Sequence, residues 1–151
     1  MKKRFFIRSF LPYALLATSG AALAADWYPV AAGSNVAIFV DKSSIKTKGK
    51  QKTFMQWQLF GQRIGAADSA KTRIVFDCDK GTRKTEYLIA ISQIDTVQSE
   101  GKVDDTFKPV VPNSLEATVY KAVCEDKFDG KPQSTVNIND VRNYLYFNQG
   151  R

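Results

Sequence analysis

Histidine is absent from this chain of 151 residues, and cysteine occurs only twice. Without histidine the chain lacks the commonest general base, the imidazole of a serine triad and the ligand of most metal sites. Two cysteines alone do not form a tetrahedral zinc site. The sequence also has neither a G-x-G-x-x-G nor a Walker-type loop to hold phosphates. These absences predict a protein without a metal or a cofactor, and they argue against catalysis.

Carboxylates are the main groups left for acid–base chemistry. Two pairs, Asp77 with Asp79 and Asp104 with Asp105, are close in sequence, and a hydrolase built on such a pair is one hypothesis. Each pair flanks a predicted turn, where aspartate is frequent because its side chain bonds to the local backbone. We therefore interpret both pairs as turn residues and predict no catalytic residues.

Residues 1–24 have the three parts of a secretory signal peptide. Four basic residues stand near the start, residues 10–22 are mostly apolar and uncharged, and Ala22 and Ala24 occupy the positions that a signal peptidase reads. The uncharged run is shorter than the ~20 residues of a membrane-spanning helix. We predict cleavage before Ala25, and no lipid anchor there because no cysteine follows the cut.

Loss of this leader changes the charge balance. The full chain has 22 Lys and Arg residues against 15 Asp and Glu residues, and the leader carries four of the basic residues, so the mature balance is 18 − 15 = +3. This excess is too small to support nucleic-acid binding. The remaining 151 − 24 = 127 residues fit one domain, over residues 25–151.

The two cysteines, Cys78 and Cys124, are 124 − 78 = 46 positions apart and lack the spacing of a redox C-x-x-C motif. An exported protein folds where disulfides persist, so we predict that the two residues form one. Closing a loop of this length would stabilise the fold by roughly 4 kcal/mol in the chain-entropy model.

Apolar and polar residues alternate over much of the mature chain, which predicts antiparallel strands with one buried face. The clearest runs are residues 36–41, 53–60, 72–78 and 85–92. Turn signals separate them at residues 48–50, 61–65, 79–81 and 100–102. The pattern predicts a sheet of about five or six strands, with Cys78 on its apolar face.

The stretch "VPNSLEATVYKAVCED" predicts a helix. Pro112 ends the preceding extended segment, Asn113 is a good N-cap, and Glu116 stands where a capping box places a carboxylate. A broad apolar arc on the helical wheel predicts that the helix packs on the sheet, which makes the fold class α+β. The arc consists of Leu115, Ala117, Val119, Tyr120, Ala122, Val123 and Cys124.

The C-terminal stretch "NINDVRNYLYFNQGR" is consistent with a short helix capped by Asn139 or with a strand. Tyr144, Tyr146 and Phe147 make it unusually aromatic for a terminus. Two interpretations stay open: the three rings pack on the domain, or they form an exposed contact patch of the kind that marks interaction sites.

Five lysines crowd the segment "DKSSIKTKGKQK" around a predicted hairpin tip. They are either a docking point for an acidic polymer or an acidic protein surface, or a solvated turn whose charges discourage edge pairing. The five are Lys42, Lys46, Lys48, Lys50 and Lys52.

Several short elements, in this order and spacing, resemble the surface-adhesin protein E family of small exported bacterial proteins. They are Trp27 near the mature start, "FVDKSSI" with Asp41, Ser44 and Ile45, a strand ending in Cys78, then Arg83 and Tyr87, Gly101, and "VPNS" before a helix ending at Cys124. The resemblance implies an antiparallel sheet joined to a helix by the disulfide. It also implies an extracytoplasmic binding role, because founding members are adhesins for host matrix proteins, and it implies no enzymatic activity or cofactor.

The chain departs from the family pattern in three ways: it has no lipid-acceptor cysteine, Phe107 replaces a tryptophan often found before the P-x-S element, and 151 − 124 = 27 residues follow Cys124. We therefore expect a periplasmic, extracellular or cell-surface binding protein whose ligand is a host matrix protein or an envelope component. The alternative is a periplasmic inhibitor of a wall-degrading enzyme such as lysozyme. A balance of +3 gives no electrostatic steering toward that cationic target.

Overall fold

The computed structural model describes residues 25–92, 95–104 and 106–148, with the backbone alone at residues 138, 144 and 146–148. These ranges contain a seven-stranded sheet and two helices. The predicted α+β class, with an antiparallel sheet, a packed helix and one disulfide, is confirmed. The elements are β1 (Trp27–Ala32), β2 (Val36–Lys48), β3 (Gln51–Ile64), β4 (Ala67–Asp77), β5 (Thr82–Ile91), β6 (Val97–Lys102), β7 (Lys108–Pro109), α1 (Leu115–Cys124) and α2 (Ile138–Asn148).

The sheet is a meander in which β1 to β6 lie side by side in chain order, and β7 pairs with the outer edge of β5. Every pairing is antiparallel. Tight turns make this order possible, and Gly49 closes the β2–β3 turn with φ 61°, a conformation that glycine adopts without strain.

Of the turns predicted from glycine, the one at residues 61–65 is correct only at Gly65, and the one at residues 100–102 is wrong. Residues 61–64 continue β3, where the pairing with β4 shifts register between Leu59 and Ile64, and the chain reverses only after Ile64. Residues 100–102 belong to β6. Glycine within a strand marks irregular pairing as well as turns, and sequence alone does not separate the two.

Both faces of the sheet carry a buried core, so the prediction of one buried face is wrong. On one face, Ile38, Phe54 and Phe76 pack with Val119 and Val123 of α1. The opposite face has a second core around the tryptophan pair, and the described side chains of Val136, Val141 and Leu145 pack in it. Its buried members are Trp27, Ala37, Phe39, Trp57, Leu59, Val136 and Leu145. Alternating side chains of β2 and β3 therefore contribute to the apolar cores on both faces of the sheet.

Helix α1 is present where predicted, but its N-cap is one residue later than expected. Ser114 is the cap, and its Oγ accepts a hydrogen bond of 3.1 Å from the Ala117 amide. Asn113 instead takes the preceding turn position with φ 57°, a left-handed conformation that asparagine tolerates. Glu116 is not part of a capping box, since its carboxylate pairs with Arg83 on β5.

The C-terminal stretch is a helix, which resolves the choice left open between helix and strand. Asn137 is its cap rather than Asn139, because the Asn137 Oδ1 accepts from the amides of Asn139 at 3.0 Å and Asp140 at 3.4 Å. Val141 and Leu145, four residues apart, point to the second core. Neither helix of the described residues has the length and apolar character needed to cross a bilayer.

Candidate functional site

The disulfide between Cys78 and Cys124 is present, and it lies at the end of the sheet where β4 leaves for its turn. The two Cα atoms are 5.6 Å apart, a usual separation for such a bridge. Two polar contacts reinforce it: the Tyr120 hydroxyl donates to the Cys78 carbonyl at 2.7 Å, and the Lys52 ammonium donates to the Val123 carbonyl at 2.8 Å. The bridge is therefore part of a structural joint between α1 and the sheet.

Three of the five candidate lysines make contacts within the fold. Lys42 pairs with Asp126 at 3.0 Å and lies 4.8 Å above the Phe128 ring, which fastens the loop after α1 to the sheet. Lys52 binds the C-terminal carbonyls of α1, where a cation is favoured by the helix dipole. Lys50 is more exposed and lies 3.7 Å from Asp79 on the next turn.

Lys46 and Lys48 are the two exposed members of the set that make no ion pair within the described residues. Lys46 is opposite Thr53 and Lys48 is opposite Gln51 in the β2–β3 hairpin. Cross-strand partners share a face, so the two ammonium groups lie on the same side of the hairpin and Lys52 on the other. Of the five candidate lysines, only Lys46 and Lys48 therefore remain candidates for docking an acidic ligand.

The aromatic tail residues Tyr144, Tyr146 and Phe147 lie on α2, but their side chains fall outside the described part of the structure. The choice between packed rings and an exposed contact patch stays a prediction.

The carboxylates considered as acid–base pairs make local backbone contacts. Asp77 Oδ1 accepts from the amides of Asp79 at 3.3 Å and Lys80 at 3.1 Å, as in an Asx turn. Hydrogen bonds from the Thr106 hydroxyl and amide hold the pKa of Asp104 below its usual value. Asp105 lies outside the described residues. Within the ranges that the structure describes, no three acidic or cysteine side chains cluster to hold a metal.

An open groove of about 770 Å³ lies beside β1, and the sequence does not predict it. One wall is the outer edge of β1 and the neighbouring residues of β2, and the other is the segment that leads into α2. Its lining is mainly apolar, with a few polar groups from residues 133–140, a composition typical of ligand sites. The walls are about a hundred positions apart in sequence, so no local pattern brings them together.

A buried carboxylate holds the second wall of this groove in place. Asp68 on β4 is 1% exposed, and its Oδ1 accepts from Arg142 of α2 at 2.5 Å and from Arg63 at 3.2 Å. The contact joins residues 74 positions apart and has no local sequence signature. Among the α2 side chains that the structure describes, Arg142 makes this polar contact with the sheet, and no disulfide links α2 to it.

The family model described as "Surface-adhesin protein E" matches residues 27–125. The chain belongs to the surface-adhesin protein E family. The resemblance inferred from the short elements is confirmed, and membership supports an adhesin-like protein, with a cell-surface or extracellular location implied by the family. The match begins at the first residue of β1 and ends one residue after α1, so it contains the sheet and the disulfide. Helix α2, and with it one wall of the groove, lies outside the matched region.

Among solved structures, the chain is similar to protein E of Haemophilus influenzae, with a TM-score of 0.50 and 9% sequence identity. The alignment covers 67% of this chain and 85% of that protein. At this identity the likeness shows a shared fold. No curated protein matches the sequence of this chain.

Proposed function

We propose that this surface-adhesin protein E family member is an exported protein that works by binding, with host matrix proteins or components of the bacterial envelope as its ligands. The match of the adhesin family over residues 27–125 carries this proposal, because it spans all of the sheet and helix α1, which the disulfide links to the sheet. The Asx-turn contacts of Asp77 support binding rather than hydrolysis, since they give this candidate carboxylate a backbone role.

Export through the predicted signal peptide is part of the proposal. We expect cleavage before Ala25, and release of a chain that folds with its disulfide in an oxidising compartment. N-terminal sequencing of the protein from the envelope of its native cell tests the cleavage, and a chain that keeps residues 1–24 would contradict it. Protease treatment of intact cells, compared with osmotic-shock release, separates a surface protein from a periplasmic one.

Ligand binding is tested with the purified mature chain, residues 25–151, on a panel of immobilised matrix proteins, envelope fractions and acidic polysaccharides. The proposal expects saturable binding to at least one of them. If Lys46 and Lys48 dock an acidic ligand, the double variant Lys46→Glu/Lys48→Glu binds about tenfold more weakly, and wild-type binding falls steeply with salt. The exposed pair Lys102→Glu/Lys121→Glu, with the same change of charge, is the matched control.

Each outcome of this experiment has a definite meaning. Binding that is unchanged in both double variants would remove the lysine docking hypothesis and leave the adhesin-like function in place. Absence of binding to every panel member, together with full inhibition of lysozyme by the same preparation, would replace this proposal with the inhibitor alternative.

A further inference from the structure

The outer edge of β1 is paired at one position only by the described part of the chain. Trp27 and Gln133 exchange two backbone hydrogen bonds, from the Trp27 amide at 3.0 Å and from the Gln133 amide at 2.9 Å. The strand continues past this bridge through residues 29–32, and this part of its edge faces the groove. The chain therefore begins to add a strand to β1 and then turns away from it.

The chemistry of the groove suits an extended polypeptide. Ala31 and Ala32 are small and let another backbone approach the strand edge, while Phe39 and Val141 supply apolar lining. Pro29 has no amide hydrogen, so the edge offers an acceptor there without a donor, and an added strand must provide the complementary N–H. The pairing of β1 with β2 shifts register between Pro29 and Ala31, so this edge is irregular. Four residues of strand span at most about 13 Å, and the open edge accommodates a segment of up to about that length.

The charge of the groove selects the kind of segment. Asp140 is the one ionisable residue in the lining, it is exposed, and it makes no ion pair within the described residues. An acidic polymer is disfavoured at this position, whereas a segment with a lysine or arginine beside Asp140 is favoured by charge complementarity. The charge of this site is therefore opposite to that of the Lys46–Lys48 pair on the β2–β3 hairpin.

We propose that the groove captures an extended, basic segment of a partner protein, which adds to β1 as a further strand and places a cationic side chain beside Asp140. Strand addition to an open sheet edge is a general mode of peptide recognition in which the backbone supplies affinity and alternate side chains supply specificity. The inference rests on the proposed binding function and assigns it a site and a partner chemistry.

The test uses a defined probe, because the natural segment is unidentified. The probe is an acetylated and amidated hexapeptide of alternating valine and lysine, and its counterpart has glutamate in place of lysine. Both are titrated into the mature chain labelled with ¹⁵N. The proposal expects saturable amide shifts at residues 30–32 and around Asp140, with the lysine peptide binding about tenfold more tightly than the glutamate peptide. Equal affinity of the two peptides, or shifts confined to other parts of the sheet, would overturn it.

Two variants and one control variant test the position of the bound segment in the groove. Ala32→Trp fills the groove from an exposed position and is expected to abolish the shifts, while Ser99→Trp on the opposite edge strand β6 is the matched control and leaves them unchanged. Asp140→Asn is expected to remove the preference for the lysine peptide. The amide spectrum of α1 shows in each case whether the variant is folded, and a folded Ala32→Trp protein that still binds the lysine peptide would contradict the inference.

The experiments distinguish a failure of the groove proposal from a failure of the proposed function. Peptide binding in the groove without any ligand on the matrix and envelope panel would support the site and reject the proposed ligands. Panel binding that Ala32→Trp leaves unchanged would reject the groove as the adhesive site and keep the function.

Discussion

The two faces of the sheet are covered by helices of similar length, 10 residues in α1 and 11 in α2, but the helices are attached in different ways. Helix α1 is fixed by a disulfide, by the Tyr120 hydrogen bond and by Lys52 at its C-terminus. Helix α2 is attached by apolar packing and by the Arg142–Asp68 pair. The attachment of α1 includes a covalent bond, whereas the described contacts of α2 with the sheet are all non-covalent.

The difference in attachment between the two helices coincides with the limits of the region that the family model matches. The stapled face lies within residues 27–125, and α2 lies after them. The α2 face also forms one wall of the groove, so the less firmly attached element is the one beside the proposed binding edge. Regions with few attachments open at low free energy, and binding sites are often drawn from them. We interpret the layer of the sheet and α1 as the scaffold that the family model matches, whereas α2 lies outside that match.

Removal of the disulfide should give the largest effect. In the double variant Cys78→Ala/Cys124→Ala we expect the free energy of unfolding to fall by roughly 4 kcal/mol, because the unfolded chain regains the entropy of an open loop. Urea denaturation of the variant and of the oxidised wild type measures it. Reduced wild-type protein is the control and should resemble the variant; equal midpoints for oxidised and reduced protein would contradict the structural role of the bridge.

Truncation of Leu145 should have the next largest effect, on the other face. Its side chain is 1% exposed in the core beneath α2, so Leu145→Ala leaves a cavity and is expected to cost roughly 3 kcal/mol. Calorimetry measures the loss, and Asn143→Ala, an exposed position of the same helix, is the control. A Leu145→Ala protein as stable as its control would show that α2 does not pack as described.

The buried ion pair should contribute less than the cavity. Arg142→Met keeps the length of the side chain but removes the 2.5 Å hydrogen bond to Asp68, and a loss of about 2 kcal/mol is expected for a bond to a buried charge. Arg63→Met removes the longer bond from a side chain that is 60% exposed, and we expect a smaller loss. Urea midpoints of the two variants decide the order, and the reverse order would mean that Arg63 rather than Arg142 holds the carboxylate.

The smallest effect concerns pH. Burial raises the pKa of Tyr120 above its ordinary value of 10.0, and the nearby charges of Asp77, Glu125 and Asp79 raise it further. The neutral phenol donates a hydrogen bond to the Cys78 carbonyl. A raised pKa contributes stability that is present below the unfolded pKa and is lost as the pH rises through the folded one. Tyr120→Phe should therefore lose about 1 kcal/mol at neutral pH, and its difference from wild type should shrink above about pH 10. A difference that stays constant between pH 8 and pH 11 would contradict this.

The face of the sheet that packs against α1 was largely predictable, because the sequence signals for its strands and its helix are local. Alternation marked the strands, an apolar arc marked α1, and the compartment implied the pairing of Cys78 with Cys124. The cap was misplaced by one residue because Asn113 and Ser114 are both good caps. Only the backbone distinguishes them: Ser114 is extended, with φ −96°, and Asn113 is left-handed.

The second face was not predictable in the same way. In α2, the helical spacing of Val141 and Leu145 is mixed with the alternation of Tyr144 and Tyr146, which a strand also shows. The Asp68–Arg142 pair and the groove join parts of the chain that are far apart in sequence. Three of the five lysines turned out to have partners because their neighbours come from other turns and from α1. Such contacts depend on the tertiary fold.

Hydrogen–deuterium exchange of the mature chain, before and after reduction, tests most directly the claim that one helix is stapled and the other is not. The account predicts that reduction accelerates exchange at α1 amides, such as those of Val123 and Cys124, far more than at α2 amides such as that of Leu145. Equal acceleration in the two helices, or a larger one in α2, would contradict it.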